Sequence, residues 1–245
     1  MPTTSVADNK NKCLVCDAEL VYYTEPRKMT CMLCGREFDS NVECTNGHFI
    51  CDECHSRNAV DFTLAYCANT KSRNPIEIIQ YLMNQPSVHM HGPEHHVMVG
   101  ASLLAAYHNC GGDIDLDKAL PEMKRRGCQV PGGACGFWGC CGAGVSAGMF
   151  VSIITKSTPL TAEPWGLSNL MTSRCLAAIG AEGGPQCCKR DSFIAIREAV
   201  AFVNEHFGIQ MELPDKIRCT FSPLNSQCKG AACPFNYVRT SKLRM

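Results

Sequence analysis

Residues 31–54 read Cys-Met-Leu-Cys-Gly-Arg-Glu-Phe-Asp-Ser-Asn-Val-Glu-Cys-Thr-Asn-Gly-His-Phe-Ile-Cys-Asp-Glu-Cys, and their spacing decides how the first quarter of the chain folds. The stretch contains Cys31-x2-Cys34, Cys44-x3-His48 and Cys51-x2-Cys54. A further knuckle, Cys13-x2-Cys16, lies fourteen residues upstream. Each such turn aims two ligands at one ion, and eight ligands complete two closed four-coordinate sites. Neither of the first two pairs shows the Cys-Pro-x-Cys knuckle of a rubredoxin-like iron site, so the expected metal is zinc, two ions. The preferred pairing is sequential. Cys13, Cys16, Cys31 and Cys34 would form a zinc ribbon, and Cys44, His48, Cys51 and Cys54 a second finger. The run from Cys31 to Cys54 also resembles most of a RING-type cross-brace, with Cys13 and Cys16 needed to complete it. Residues 13–67 lack long apolar periodicity, so metal replaces a hydrophobic core there, contributing roughly 10–16 kcal/mol of apparent folding free energy.

Outward from this module, the 245 residues carry 19 cysteines and a net charge of zero. Residues 1–12 are polar and are expected to be disordered. The chain shows no apolar signal core and no run of about 18 apolar residues, so a soluble, cytoplasmic protein without a membrane partner is expected. In a reducing compartment, Cys-x-x-Cys spacings point to metal before disulfide. The balanced charge argues against a nucleic-acid partner. Its distribution is uneven. Residues 1–62 hold six Lys/Arg and ten Asp/Glu, whereas residues 213–245 form a basic tail with Lys216, Arg218, Lys229, Arg239, Lys242 and Arg244 against Asp215. The tail also carries Cys219, Cys228 and Cys233, three thiols without an evident fourth ligand unless a cysteine from elsewhere joins them.

Between module and tail, residues 74–212 read as an all-α core domain. Asn74 caps a helix with Pro75 in its first turn and Ile76, Ile79, Leu82 and Met83 on one face. Further helices are expected over 93–109, 115–126, 140–156, 163–181 and 191–207. Asp191 or Ser192 would cap the last and Gly208 would end it. No alternating β-branched run is long enough for a sizeable sheet. Small residues at Gly100-Ala101-Ser102, Ala105-Ala106, Ala143-Gly144 and Ala147-Gly148 let helix axes approach closely.

His89-Met90-His91-Gly92-Pro93-Glu94-His95-His96 places four imidazoles and a carboxylate at a helix entrance. His91, Glu94 and His95 are the candidate catalytic residues, for acid–base or substrate-orienting work. The competing readings are helix capping and a separate metal site. The second half of the chain adds Gly133-Ala134-Cys135-Gly136, then Cys175 inside a helix, then Cys187-Cys188-Lys189-Arg190-Asp191 at a helix start. Lys189 and Arg190 there are candidate substrate-binding residues for an anion. Cys140, Cys141 and Cys188 are rival thiols, and buried inert thiols or a thiol-redox site remain alternatives.

The order of these last motifs resembles the catalytic α-type domain of iron–sulfur L-serine dehydratases over residues 130–205. That resemblance implies a [4Fe–4S] cluster held by Cys135, Cys175 and Cys187, with one iron open to substrate as a Lewis acid. The chain also resembles a family of uncharacterised cysteine-rich proteins of anaerobic archaea and bacteria. His-Gly-Pro-Glu-His-His (91–96), Gly-Gly-Ala-Cys-Gly-Phe-Trp-Gly (132–139) and Cys-Cys-Lys-Arg-Asp-Ser-Phe (187–193) carry that second resemblance. Two functions follow as expectations. The first is iron–sulfur-dependent elimination or desulfuration of a small anionic or thiol substrate. The second is a non-enzymatic adaptor or metal and sulfur carrier that docks a protein partner through its zinc module.

Overall fold

The computed structural model describes residues 13, 15, 16 and 18–236. The expectations for residues 1–12 and for Arg239, Lys242 and Arg244 lie outside the described residues. The protein is mainly helical, with a small N-terminal module whose only named strands are β1 (Leu20–Thr30) and β2 (Glu37–Cys44), paired antiparallel. Leu20 lies opposite Cys44 and Thr30 opposite Glu37, and the register shifts between Tyr22 and Arg27. Eight α-helices follow among the described residues: α1 (Asp52–Asn69), α2 (Pro75–Met83), α3 (His95–Asn109), α4 (Leu116–Gly127), α5 (Ala134–Phe137), α6 (Gly142–Ile154), α7 (Glu163–Glu182) and α8 (Cys188–Phe207).

Most of these starts and stops follow from local chemistry. Asn74 Oδ1 accepts from the N–H groups of Ile76 and Glu77 at 3.0 and 3.3 Å, which satisfies two orphan donors of α2. Gly208 ends α8 in the left-handed conformation at φ 67°, as expected of a C-terminal glycine. The start of α8 differs from expectation. Its cap is Cys187, whose Sγ accepts from Arg190 N, so the helix begins three residues before Asp191. Lys189, Arg190 and Asp191 therefore lie inside its first turn, and all three are buried.

Helix α1 has no counterpart in the sequence-based expectation. Its buried positions are Ser56, Ala59, Val60, Thr63 and Cys67, a regular helical face built from small and polar side chains. Ala59, Val60 and Cys67 belong to the same apolar core as α3, α6 and α8. Packing thus divides the segment 13–67. Met29, Cys31, Phe49 and Cys51 form a separate small cluster in the module, while α1 joins the helical domain.

Helix α3 runs through the centre of that domain, with residues 97–107 all buried against α1, α2, α4, α6 and α8. The small residues serve close approach. A methyl group on Gly148 would lie 1.8 Å from Thr172 Oγ1 and 3.0 Å from the Ser168 carbonyl oxygen, so α6 and α7 meet there without room for a side chain. Gly100 N donates to Ser146 Oγ at 2.9 Å, which ties α3 to α6 through a buried hydroxyl. No helix of the described chain is long and apolar enough to cross a membrane.

Candidate metal centres and the buried histidine site

The hairpin dictates how the N-terminal ligands pair. The first knuckle precedes β1, and because Leu20 faces Cys44, it is carried to the end of β2. The second knuckle lies at the other end of the hairpin, where Cys31 bridges Phe49 next to the last ligand pair. The resulting groups are Cys13, Cys16, Cys44 and His48, and separately Cys31, Cys34, Cys51 and Cys54, each with its ligand atoms within 4.8 Å of one another. This interleaved arrangement corrects the sequential pairing. An eleven-residue strand spans roughly 30 Å, so the knuckles at its two ends cannot share an ion.

Both groups have the dimensions of a single tetrahedral ion. Cys16 Sγ lies 3.8 Å from Cys44 Sγ, and Cys34 Sγ lies 3.8 Å from Cys51 Sγ. His48 Nδ1 is 3.2 Å from Cys16 Sγ. Backbone N–H groups favour the thiolate forms. The N–H of Ala18 brings the Cys16 thiol down to about 6. At Cys31, burial raises the thiol, but the N–H groups of Cys51, Cys34 and Leu33 outweigh it and bring it to about 6.

A third ligand group lies at the seam between the module and the helical domain. It consists of His55, His89 and Glu94, whose ligand atoms also lie within 4.8 Å of one another. His55 comes from the first turn of α1, directly after Cys54, and its ring lies against that of His89, tilted by 40° with centroids 3.9 Å apart. Glu94, 0 % exposed, precedes α3. Its Oε1 accepts from His89 N at 2.9 Å and lies 3.3 Å from His89 Nδ1. Its Oε2 has no hydrogen-bond partner and faces His55 Nδ1 at 4.0 Å, which likewise has none. On the same α1 turn, Asp52 Oδ2 accepts from Gly132 N at 2.7 Å and fixes this end of the helix to the Gly-Gly-Ala-Cys loop.

Beside this group sits Lys189, 1 % exposed, projecting from the first turn of α8. Its Nζ donates to His89 O at 2.8 Å and to His95 Nε2 at 3.0 Å. His95 therefore accepts at Nε2 and donates through Nδ1–H to Gly92 O, 3.0 Å away. Burial, and then the Lys189 charge, push the His95 imidazole down to about 3, consistent with this neutral tautomer. Burial also brings Lys189 down to about 8, against the pull of the Glu94 carboxylate. Burial would raise Glu94; the hydrogen bond from His89, together with the surrounding imidazoles, pulls it the other way. With His95 neutral, the cation facing that carboxylate is Lys189. A carboxylate and an ammonium buried together are costly to retain unless they do work.

The remaining expected site residues are distributed as follows. His91 Nε2 lies 3.3 Å from Asn225 Oδ1, and its Nδ1 is buried without a partner. The Arg190 guanidinium is held by Asp191 Oδ1 at 2.8 Å and by Pro185 O at 3.0 Å. Cys135 Sγ donates to Gln186 Oε1 at 3.4 Å. Cys175, fully buried on α7, points its Sγ at Ala195 O, 3.6 Å away in the apolar core, and burial raises its thiol to about 12. Cys187 Sγ accepts from Asn225 Nδ2 at 3.6 Å and faces the tail thiols Cys219, Cys228 and Cys233 across a shared cavity. Cys135, Cys175 and Cys187 thus have three different surroundings. His55, Asp52 and His89 carried no assigned role from sequence. The available signal was His55 directly following a metal ligand, and His89 opening the imidazole run.

The fold and ligand sets define a cysteine-rich protein with groups fitted for metal, in which an interleaved module caps a helical domain. Within that class, the chain belongs to a family of unknown function, DUF5714, whose model matches residues 63–236. The match begins inside α1, after the module ligands and after Asp52 and His55, and runs through the rest of the helical domain into the thiol-bearing tail. No curated protein and no solved structure matches the chain.

Proposed function

We propose that this protein is a metal-dependent enzyme of the lyase type, acting at the seam between the module and the helical domain. In this reading, His55, His89 and Glu94 hold a divalent metal whose remaining positions are open, and the module's two groups hold structural zinc. The observation that carries it is the pair of buried, unpartnered atoms Glu94 Oε2 and His55 Nδ1 facing each other at 4.0 Å. A cation between them would satisfy both. Two imidazoles and one carboxylate are a ligand set that catalytic zinc and non-haem iron sites use, because three protein ligands leave room for substrate. The metal would supply Lewis acidity toward a leaving hydroxyl or sulfide. Lys189, desolvated and hydrogen-bonded to His89 O, is placed to move a proton, with His95 orienting it and His91 set against Asn225 nearby. Glu94 then serves as a ligand and not as the base.

The reaction class is elimination or desulfuration of a small carboxylate- or thiol-bearing substrate. In this reading the reaction is not routed through a cluster on Cys135, Cys175 and Cys187; the Cys175 thiol faces the carbonyl of Ala195 inside the core. A cytoplasmic location fits the 19 cysteines, none of them paired in a disulfide. The test is metal analysis joined to turnover. Wild-type protein should bind a metal equivalent beyond the module's two and release sulfide, ammonia or water from a panel of β-substituted amino and hydroxy acids. His55→Ala and Glu94→Gln should each lose that equivalent and the turnover. Absence of both in folded wild-type protein would leave the adaptor reading. That second reading is favoured by one feature, the exposed Met32 and Leu33 at the tip of the second knuckle, which offer a partner an apolar contact.

A further inference from the structure

Beyond the seam site, four cysteines from two distant parts of the chain surround one cavity. Cys187 caps α8, and Cys219, Cys228 and Cys233 come from the segment after it. With Met90, Arg190, Phe221, Ser222, Asn225 and Lys229 they line about 320 Å³ of space free of protein atoms, its mouth included. We propose that Cys187, Cys219, Cys228 and Cys233 hold a four-iron, four-sulfide cluster.

Spacing separates a cluster from a single ion. One tetrahedral ion with metal–sulfur bonds of about 2.3 Å draws its sulfurs to roughly 3.8 Å of each other. The N-terminal module shows that spacing at Cys16–Cys44 and Cys34–Cys51, both 3.8 Å. Around the cavity no three of the four sulfurs lie mutually within 4.8 Å among the described residues, although all four line the same space. No three of these sulfurs are as close as one ion would draw them, a spacing compatible with a cuboid core that puts an iron at each thiolate.

The surroundings of the sulfurs agree. Each of the four receives a backbone N–H: Cys187 from Arg190 at 3.5 Å, Cys228 from Gly230 at 3.3 Å, Cys219 from Phe221, and Cys233 from Phe235. Asn225 Nδ2 adds a second donor to Cys187, and Ser222 Oγ lies 3.2 Å from Cys228 Sγ. Such donors stabilise thiolates and tune a cluster's potential. A doubly charged core bound by four thiolates is a net dianion, and the cavity wall carries two cations, Arg190, ion-paired with Asp191, and Lys229, ion-paired with Glu182. Lys189 Nζ lies behind Phe221, 5.0 Å above its ring. Four thiolates leave no iron open to substrate. The cluster would pin the tail segment to the start of α8 and place a one-electron centre near the seam. The link is His91, whose Nε2 meets Asn225 Oδ1, while Asn225 Nδ2 meets Cys187.

This inference stands independently of the lyase reading, and its test reads the cofactor and not activity. The full chain is prepared without oxygen, supplied with ferrous and ferric iron in equal amounts and with sulfide, and desalted. Wild-type protein should retain about four iron and four acid-labile sulfide per chain, with a broad visible absorption that dithionite bleaches. Its Mössbauer spectrum should be that of a cuboid cluster. Cys228→Ala and Cys233→Ala should lose iron, sulfide and colour, while zinc content and far-ultraviolet circular dichroism stay at wild-type values. Cys135→Ala and Cys175→Ala should keep the cluster. Wild-type protein that takes up zinc but no sulfide would overturn the proposal. So would a cluster that survives Cys228→Ala and disappears in Cys135→Ala. The wild-type measurement decides even if a tail variant folds poorly.

Discussion

Replacing Cys16 by serine distinguishes the interleaved module from its sequential alternative. Either pairing has one all-thiolate site and one site of three thiolates and an imidazole, so the wild-type protein looks the same under both. The variant does not. In the interleaved structure Cys16 shares its ion with Cys13, Cys44 and His48, and the surviving group is Cys31, Cys34, Cys51 and Cys54. Zinc should fall from two equivalents to one, and cobalt substituted into the remaining site should show the spectrum of a four-thiolate centre. A structural zinc contributes about 10–16 kcal/mol of apparent folding free energy, more than a two-stranded hairpin can replace. The β1–β2 end near Leu20 and Cys44 should therefore lose hydrogen-exchange protection. The second site should keep its protection, because Cys51 and Cys54 flank the start of α1, which is packed into the helical core. A remaining module site whose cobalt carries three thiolates and one imidazole would refute the reasoning, since it would mean that Cys16 had been paired with Cys31 and Cys34.

Other outcomes follow from particular contacts. Gly148→Ala should destabilise the helical domain by about 1–3 kcal/mol, because the new methyl meets Thr172 and the Ser168 carbonyl; an unchanged thermal midpoint would show slack between α6 and α7. Cys175→Ala should cost about 1–2 kcal/mol through lost packing and leave every metal equivalent in place, as judged by denaturant titration and elemental analysis. Asp52→Ala should remove about 1 kcal/mol and speed exchange at Gly132 N, with zinc content unchanged. Acidification should release zinc from the module as its thiolates protonate, while the helical circular dichroism persists; simultaneous loss of both would show that the module is required for the domain to fold.

The helices were legible where their buried face is aliphatic or their ends carry strong signals. Ile76, Ile79, Leu82 and the Asn74 cap place α2 directly, and Gly208 fixes the end of α8. Helix α1 was hidden because its buried face is Ser56, Ala59, Val60, Thr63 and Cys67, a helical spacing without aliphatic bulk. The eight module ligands were recognisable from spacing alone. Their partnership was not, since it depends on strand register, and Leu20 opposite Cys44 can be read only from the hairpin. The imidazole segment was visible as a site, but the residue that completes its ligand group, His55, comes from the other side of the seam. The three tail thiols were legible as a group; that Cys187 lines the same cavity follows from the way the segment folds back across the start of α8.

The central claim is that a metal binds at the seam, and anomalous diffraction from crystals of the metal-loaded protein tests it most directly. Maps across the zinc and iron edges should show one ion in each module group and a further ion bounded by His55, His89 and Glu94, with the Glu94 Oε2 to His55 Nδ1 gap bridged through it. Two filled module sites beside an empty seam, in protein supplied with excess zinc and ferrous iron, would contradict the account.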